Sequence, residues 1–263
     1  MSKKAFFIDI DGTITCANKG LVHMTDKTKY AIEQLAKDNY VFISSGRCKA
    51  LLPEELLELE NVGYLTTNGA YGEINGEAFH SILMDDYKLD ELRKYCNLKG
   101  YCYIYERQEC IYVGGNTDLY DDFVSSWSMV ASDQKEDNGE KGIYLVMVIC
   151  HNLDECNEFQ KEQEKNFDVR KHGGFNSFDV GSLGINKGVS VKKVIEHFDV
   201  DFKDTYAFGD GLNDLEMIEG VKHGVAMGNG HPDLKKVASE VCGHVLDDGF
   251  YHYLVDKNLI KPM

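Results

Sequence analysis

A chain of 263 residues has room for one large or two modest domains, and its 43% hydrophobic content is ordinary for a protein with a real core. The 28 Lys plus Arg against 44 Asp plus Glu leave a net charge of −16, which argues against nucleic acid and against an anionic membrane as partner. Eight cysteines without a C-x-x-C pair read as reduced thiols, and the lack of a long apolar run points to a cytoplasmic protein.

The first apolar run, 5–8, leads into Asp9-Ile10-Asp11-Gly12-Thr13. It reads as a buried strand with two carboxylates at its carboxyl end, where open α/β sheets bind ligands. Two like charges placed there call for a cation, and Gly12 lets the backbone turn sharply after them. Apolar residues at helical spacing predict a helix over 26–36, and 40–43 predicts the next strand, so the start is a βαβ pattern with a parallel sheet. At the end of that strand, Ser44-Ser45-Gly46-Arg47 offers a hydroxyl, an open backbone N–H and a guanidinium fork, a donor set for phosphate oxygens. A helix over 51–59 opening at Pro53, a strand over 64–67 and a hairpin with turns at 69–72 and Asn75-Gly76 follow.

Between 81 and 184 the texture changes. Helices over 87–98, 118–129 and 153–166 separate strands over 101–106, 110–114, 143–150, 168–171 and 175–180. Hairpins mixed with helices predict an α+β unit with a largely antiparallel sheet, inserted as a second domain. The βα pattern then resumes with helix 189–197, strand 205–208, helix 214–218, strand 224–227 and helix 232–238. Residues 1–81 and 185–263 are therefore expected to build one core domain around an insert at 82–184.

Two more strand-end groups lie in the closing segment. Lys187-Gly188 opens a helix, where an ammonium and free N–H groups can hold an anion together. Gly209-Asp210-Gly211-Leu212-Asn213-Asp214 adds two carboxylates and an amide in one tight loop. Mg2+ prefers oxygen ligands, so Asp9 and Asp210 with a backbone carbonyl, water and phosphate would complete its octahedron. A dinucleotide fingerprint is excluded, because no third glycine follows and acids at 210 and 214 would repel a pyrophosphate.

The ordered set Asp-x-Asp-Gly-Thr, Ser-Gly-Arg, Lys-Gly and Gly-Asp-Gly-Leu-Asn-Asp resembles the haloacid dehalogenase superfamily over nearly the whole chain. An insert placed between Ser45 and Lys187, with Thr67-Asn68-Gly69-Ala70 and the 224–230 segment, looks like the Cof-type branch, subfamily IIB with a C2B cap. The resemblance implies an α/β fold: a Rossmannoid parallel-sheet core carrying an α+β cap. It implies a Mg2+-dependent phosphatase of small phosphomonoesters, sugar phosphates first, working through an aspartyl phosphate. In that scheme Asp9 is the nucleophile, and Asp11 is the acid to the leaving alcohol and then the base to water. Ser45, the Gly46 N–H and Lys187 neutralise phosphoryl charge, with Gly12, Arg47 and Asn213 beside the phosphate or leaving group. The metal falls to Asp9, the Asp11 carbonyl, Asp210 and Asp214, the last also orienting waters or Lys187.

The insert is expected to act as a lid hinged at 81–86 and 181–186, with Phe178 and Asp179 reading the rest of the substrate. Ser44 competes with Ser45 for the hydroxyl role. Cys16 and Cys48 read as small packing side chains, with oxidative control as the alternative. Two other functions stand beside the phosphatase: a phosphomutase on the same scaffold, revealed by bisphosphate dependence and an isomerised product, and a non-catalytic regulatory protein, disfavoured by the intact acids.

Overall fold

The computed structural model describes residues 3–127 and 131–263. It divides into two compact units, Met1–Ser45 with Pro53–Ser81 and Asn186–Met263, and Gly46–Leu52 with Ile82–Ile185. In chain order the first unit begins with β1 (Ala5–Ile8), α1 (Asp26–Ala36), β2 (Tyr40–Ser44), α2 (Glu54–Leu57), β3 (Val62–Thr66), β4 (Tyr71–Ile74) and β5 (Glu77–Ser81). The second unit holds α3 (Asp86–Lys99), β6 (Cys102–Glu106), β7 (Ile111–Gly115), α4 (Thr117–Trp127), β8 (Gln134–Glu136), β9 (Leu145–Ile149), α5 (Leu153–Gln163), β10 (Asp168–Lys171) and β11 (Ser177–Gly181). The chain then returns to the first unit with α6 (Lys187–Phe198), β12 (Thr205–Gly209), α7 (Leu215–Glu219), β13 (His223–Ala226), α8 (Pro232–Val237), β14 (Glu240–Val241) and α9 (Gly249–Asp256).

All four residues of β1 are fully buried, as a strand covered on both faces requires. The sheet runs β14-β13-β12-β1-β2-β3-β4-β5. It is parallel from β14 to β3 and antiparallel beyond. From β1 the chain steps outward through β2 and β3, and after the insert through β12, β13 and β14 on the other side. Strand order therefore reverses at β1, so the carboxyl ends of β2, β1 and β12 border a switch-point crevice. Helix α1 starts where the Thr25 hydroxyl accepts the Thr28 N–H at 3.1 Å, and it buries Ala31, Ile32 and Leu35. Helix α6 starts where Asn186 Oδ1 accepts the Val189 N–H at 3.1 Å, and its inner stripe carries Val191 and Val194.

Several elements differ from their expected extents for local reasons. Pro53 holds Leu52 extended, so the helix expected over 51–59 shrinks to α2 behind a 3-10 turn at Lys49–Leu51. Strand β3 stops at Thr66 because Thr67 turns left-handed, at φ 51°. The end expected for α4, at Met129, lies outside the described residues. Among the described residues no helix is long and apolar enough to cross a membrane.

In the second unit the sheet order is β10-β11-β9-β6-β7-β8, antiparallel except between β7 and β8. Side chains alternate between its faces. Tyr103, Tyr105, Val146, Val148, Phe178 and Val180 pack with Leu89, Leu92 and Cys96 of α3 and Phe159 of α5. Cys102, Ile104, Met147 and Ile149 cluster with Tyr120 and Phe123 of α4 and with Cys48, Ala50 and Leu51. The expectation for Phe178 is corrected by this alternation: its ring is wholly buried, 5.3 Å from that of Phe159, and serves the core. Its neighbour Asp179 takes the opposite face, where Oδ1 lies 2.9 Å from Nε2 of His172, while His172 Nδ1 lies 2.8 Å from the Ser177 hydroxyl.

The segment Gly46–Leu52 sits with this second unit, a difference from the boundary expected at 81. Glu106 Oε2 accepts the Cys48 N–H at 2.8 Å, and Gln108 Oε1 accepts that of Lys49 at 3.2 Å. Ser132 N–H donates to the Ala50 carbonyl at 3.0 Å. Burial, reinforced by Asp179, pushes the Glu106 carboxyl up to about 8, against the Cys48 hydrogen bonds and the Arg47 charge. A carboxyl raised in the folded state contributes stability below its unfolded pKa and loses it as pH rises through the folded one. Glu106→Gln keeps an oxygen for Cys48 and carries no charge. It should therefore gain stability over wild type, by on the order of a few kcal/mol, as pH goes from about 5 to about 9. Urea unfolding at both pH values checks this; a difference that does not change with pH contradicts it.

Candidate active site

Asp9 follows β1 and extends its register, donating its N–H to the Phe208 carbonyl at 3.0 Å. The next residues fold into a tight loop in which the N–H groups of Thr13, Ile14 and Thr15 converge on the Ile10 carbonyl at 3.2, 2.9 and 3.0 Å. Gly12 N–H donates to the Thr15 carbonyl at 2.7 Å. Gly12 sits at φ 90°, and a Cβ there would lie 2.1 Å from Asp210 Oδ2. Only glycine lets the loop rest on that carboxylate. Asp11, on the same loop, is exposed.

From the other side of the sheet, β12 ends at Gly209 and delivers Asp210 and the 3-10 turn Leu212–Asp214. Asp214 Oδ2 accepts the N–H groups of Asp210 and Gly211 at 3.0 and 2.9 Å, which folds the loop around the carboxylate. Its Oδ1 receives Lys187 Nζ at 2.6 Å, and the same Nζ reaches Asp9 Oδ1 at 2.5 Å. Thr13 Oγ1 donates to Asp210 Oδ1 at 3.5 Å.

Lys187 opens α6 and is wholly buried. Burial alone would lower its pKa, but the charges of Asp214 and Asp9 win and hold it above the ordinary lysine range. Asp9 is held well above the carboxylate range by burial first, then by Asp214, with Lys187 opposing. Asp210 is pushed up to about 7 by burial and by Asp214. One oxygen each from Asp9, Asp210 and Asp214 lies within 4.8 Å of the others. Three acids around one ammonium leave an excess of negative charge, and an all-oxygen donor set of this kind suits a hard divalent cation.

The structure brings Asp9, Lys187, Asp210 and Asp214 together as side chains. Asp214 carries contacts beyond the expected ones, since its two oxygens accept from backbone N–H groups as well as from Lys187. Ser45 is buried at the end of β2, its N–H on the Leu65 carbonyl at 2.8 Å and its carbonyl accepting the Asn68 N–H at 3.1 Å. Ser44 is fully buried, and its hydroxyl finds no partner among the described residues. Asn213 folds back over its own loop, its Oδ1 2.6 Å from where a Cβ on Gly211 would stand. Gly46, Arg47 and Asp179 belong to the second unit, where Arg47 Nη1 donates to the Leu51 carbonyl at 3.4 Å.

Two motifs carry geometry that the sequence reading did not supply. Thr67, Asn68 and Gly69 are left-handed in succession, at φ 51°, 52° and 90°, and a Cβ on Gly69 would lie 2.1 Å from the Asn186 carbonyl. The turn was expected only from 69, and nothing marks a β-branched residue for such a backbone. Asn229 is the other: its Nδ2 donates to the Gly12 carbonyl at 2.7 Å.

A profile for haloacid dehalogenase-like hydrolases matches residues 6–254. Over 272 aligned positions the chain is 29% identical to the Bacillus subtilis (strain 168) protein YkrA, which carries the provisional name of a phosphatase, with 99% of this chain and 100% of YkrA covered. A stretch of 73 residues is 41% identical to the HMP-PP phosphatase of Yersinia pestis (strain Pestoides F), covering 27% of each. Among solved structures, a Geobacillus kaustophilus HTA426 protein superposes with a TM-score of 0.86 at 27% identity, over 98% of this chain and 100% of its own. The sugar phosphatase BT4131, of haloacid dehalogenase subclass IIB, gives a TM-score of 0.82 at 25% identity, over 98% and 100%.

Proposed function

The chain belongs to the haloacid dehalogenase-like hydrolase family as a phosphoric monoester hydrolase, and we propose that it cleaves small phosphomonoesters, sugar phosphates foremost, with Asp9 as nucleophile. The observation that carries this reading is the single buried ammonium of Lys187 held between Asp9 and Asp214, with Asp210 beside them at the ends of β1 and β12. A structural ion pair would have no need of the surplus acids. The sugar class is supported by the likeness to BT4131.

An Asp9 carboxylate oxygen attacks phosphorus, and the bond to the leaving alcohol oxygen breaks as Asp11 supplies that oxygen with a proton. Water then attacks the phosphorus of the aspartyl phosphate, giving its proton to Asp11 and releasing phosphate and the free Asp9. Lys187 holds the Asp9 carboxylate in place and, with the Ser45 hydroxyl, offsets charge gathering on the phosphoryl oxygens. Asp214 aims Lys187. Asp9, Asp210 and the Asp11 carbonyl would hold Mg2+, which when bound supplies further charge neutralisation at the same oxygens.

A phosphate-release screen over sugar phosphates, nucleotides and coenzyme phosphates tests the reading. Release should be strongest with a sugar phosphate in Mg2+ and should vanish on adding a chelator. Silence across the panel, or turnover that ignores the chelator, would sink it. A requirement for a bisphosphate with an isomerised product would instead make the protein a mutase.

A further inference from the structure

We propose that Asn229 is a positioning residue that sets the register between the Asp9–Asp11 loop and the Asp210 loop, and thereby the affinity of the acidic cluster for a divalent cation. The proposal rests on the hydrolase reading above. Asn229 lies just past β13, in a loop hydrogen-bonded to the backbone at Gly209 and Asp210 and to that at Gly243. Met227 N–H donates to the Gly209 carbonyl at 2.9 Å, His231 N–H to that of Asp210 at 2.8 Å, and Gly228 N–H to that of Gly243 at 2.9 Å. A Cβ on Gly230 would stand 3.3 Å from the Asp210 Cα. The loop is thus already fastened to the Asp210 side, and the Asn229 side chain reaches across to the other.

There, Nδ2 donates to the Gly12 carbonyl at 2.7 Å while Oδ1 accepts the Val245 N–H at 2.9 Å. Gly12 O can only accept and Val245 N–H can only donate, so a side-chain amide in this one orientation satisfies both. A carboxylate would set an oxygen against the Gly12 carbonyl. Both peptide groups flanking Gly12 are consequently pinned, one by its N–H on the Thr15 carbonyl and the other by Asn229. The first of these planes contains the Asp11 carbonyl, so its direction is fixed as well. Because Gly12 rests on the Asp210 carboxylate, releasing the Gly12 carbonyl loosens one acid loop against the other. Partners one step removed from a metal's ligands typically govern about 10- to 100-fold in affinity or activity.

Asn229→Asp and Asn229→Ala test this on the whole protein. Mn2+ binding is followed by electron paramagnetic resonance, with Mg2+-dependent phosphate release and thermal unfolding in parallel. Both variants should bind Mn2+ about 10- to 100-fold more weakly. They should need correspondingly more Mg2+ for half-maximal rate, while the substrate KM at saturating Mg2+ changes less than about twofold. Asn229→Asp keeps the oxygen for Val245, and should show the same metal defect with a smaller loss of melting temperature than Asn229→Ala. Unchanged Mn2+ affinity in either folded variant, with only a lowered melting temperature, overturns the proposal and leaves Asn229 a loop fastener. Wild type that binds Mn2+ tightly and releases no phosphate, with the variants still weakened, would support the positioning role and remove the hydrolase reading. Wild type that binds no Mn2+ would overturn the proposal outright.

Discussion

Asp9→Asn should abolish phosphate release, lowering kcat by about 10^4-fold or more, the scale on which loss of a covalent nucleophile is felt. The substitution is nearly isosteric, and the amide cannot form the acyl phosphate. Its effect on stability should run the other way. Burial and the neighbouring acids hold the Asp9 carboxyl well above its ordinary range, so at neutral pH its ionised form costs the folded state free energy. The neutral amide relieves that cost, and Lys187 keeps Asp214 at 2.6 Å as a partner. Melting temperature should therefore hold or rise, at about 2–4 °C per kcal/mol for a chain of this size class. Residual turnover within about tenfold of wild type would dismiss the covalent mechanism. A melting temperature lower by several degrees would show that the Lys187–Asp9 pair is net stabilising in spite of its burial.

Asp9, Asp210 and Lys187 were legible in the sequence by where they stand. Each marks a place where a periodic apolar run stops or a helix opens, and parallel-sheet topology gathers those ends at one edge. Local pattern and site chemistry agree at these positions. What sequence could not convey is how many partners a side chain acquires after folding. Asp214 reads as one more metal carboxylate, and nothing in the sequence shows that its two oxygens also accept from Lys187 and the loop N–H groups. Phe178 and Asp179 illustrate another limit: alternation places them on opposite faces of β11, but the buried face is decided by α3 and α5. Gly46–Leu52 reads as a continuation of the core because chain order is all a sequence offers, and Glu106 and Gln108, more than fifty residues on, are what claim it. The aromatic run Phe250-Tyr251-His252-Tyr253 of α9 carries no period that separates a helix from a strand, and it went unassigned.

Lys187→Met should be the most damaging single change to the fold of the site. Methionine fills much of the same volume, yet it leaves Asp9, Asp210 and Asp214 together without the ammonium that two of them contact. Removing one partner of a buried ion pair costs about 3–5 kcal/mol, because the remaining charge stays buried. Turnover should fall as well, by about 10^2- to 10^3-fold, the loss seen when one donor to the developing charge is removed. The stability deficit should depend on pH with a definite sign. Asp9 and Asp210 already sit above their ordinary range and lose an opposing charge with Lys187, so the deficit is largest where they must ionise, near pH 8. It shrinks as acid protonates them, and near pH 5 the variant should approach wild type. A second substitution separates charge from packing. Asp214→Asn in the Lys187→Met background removes one stranded carboxylate and keeps an oxygen for the Asp210 and Gly211 N–H groups, so it should recover part of the lost melting temperature at pH 8 and none of the activity. Strictly additive losses, or a deficit equal at both pH values, would mean that Lys187 is held by packing and that its charge does not balance the acids.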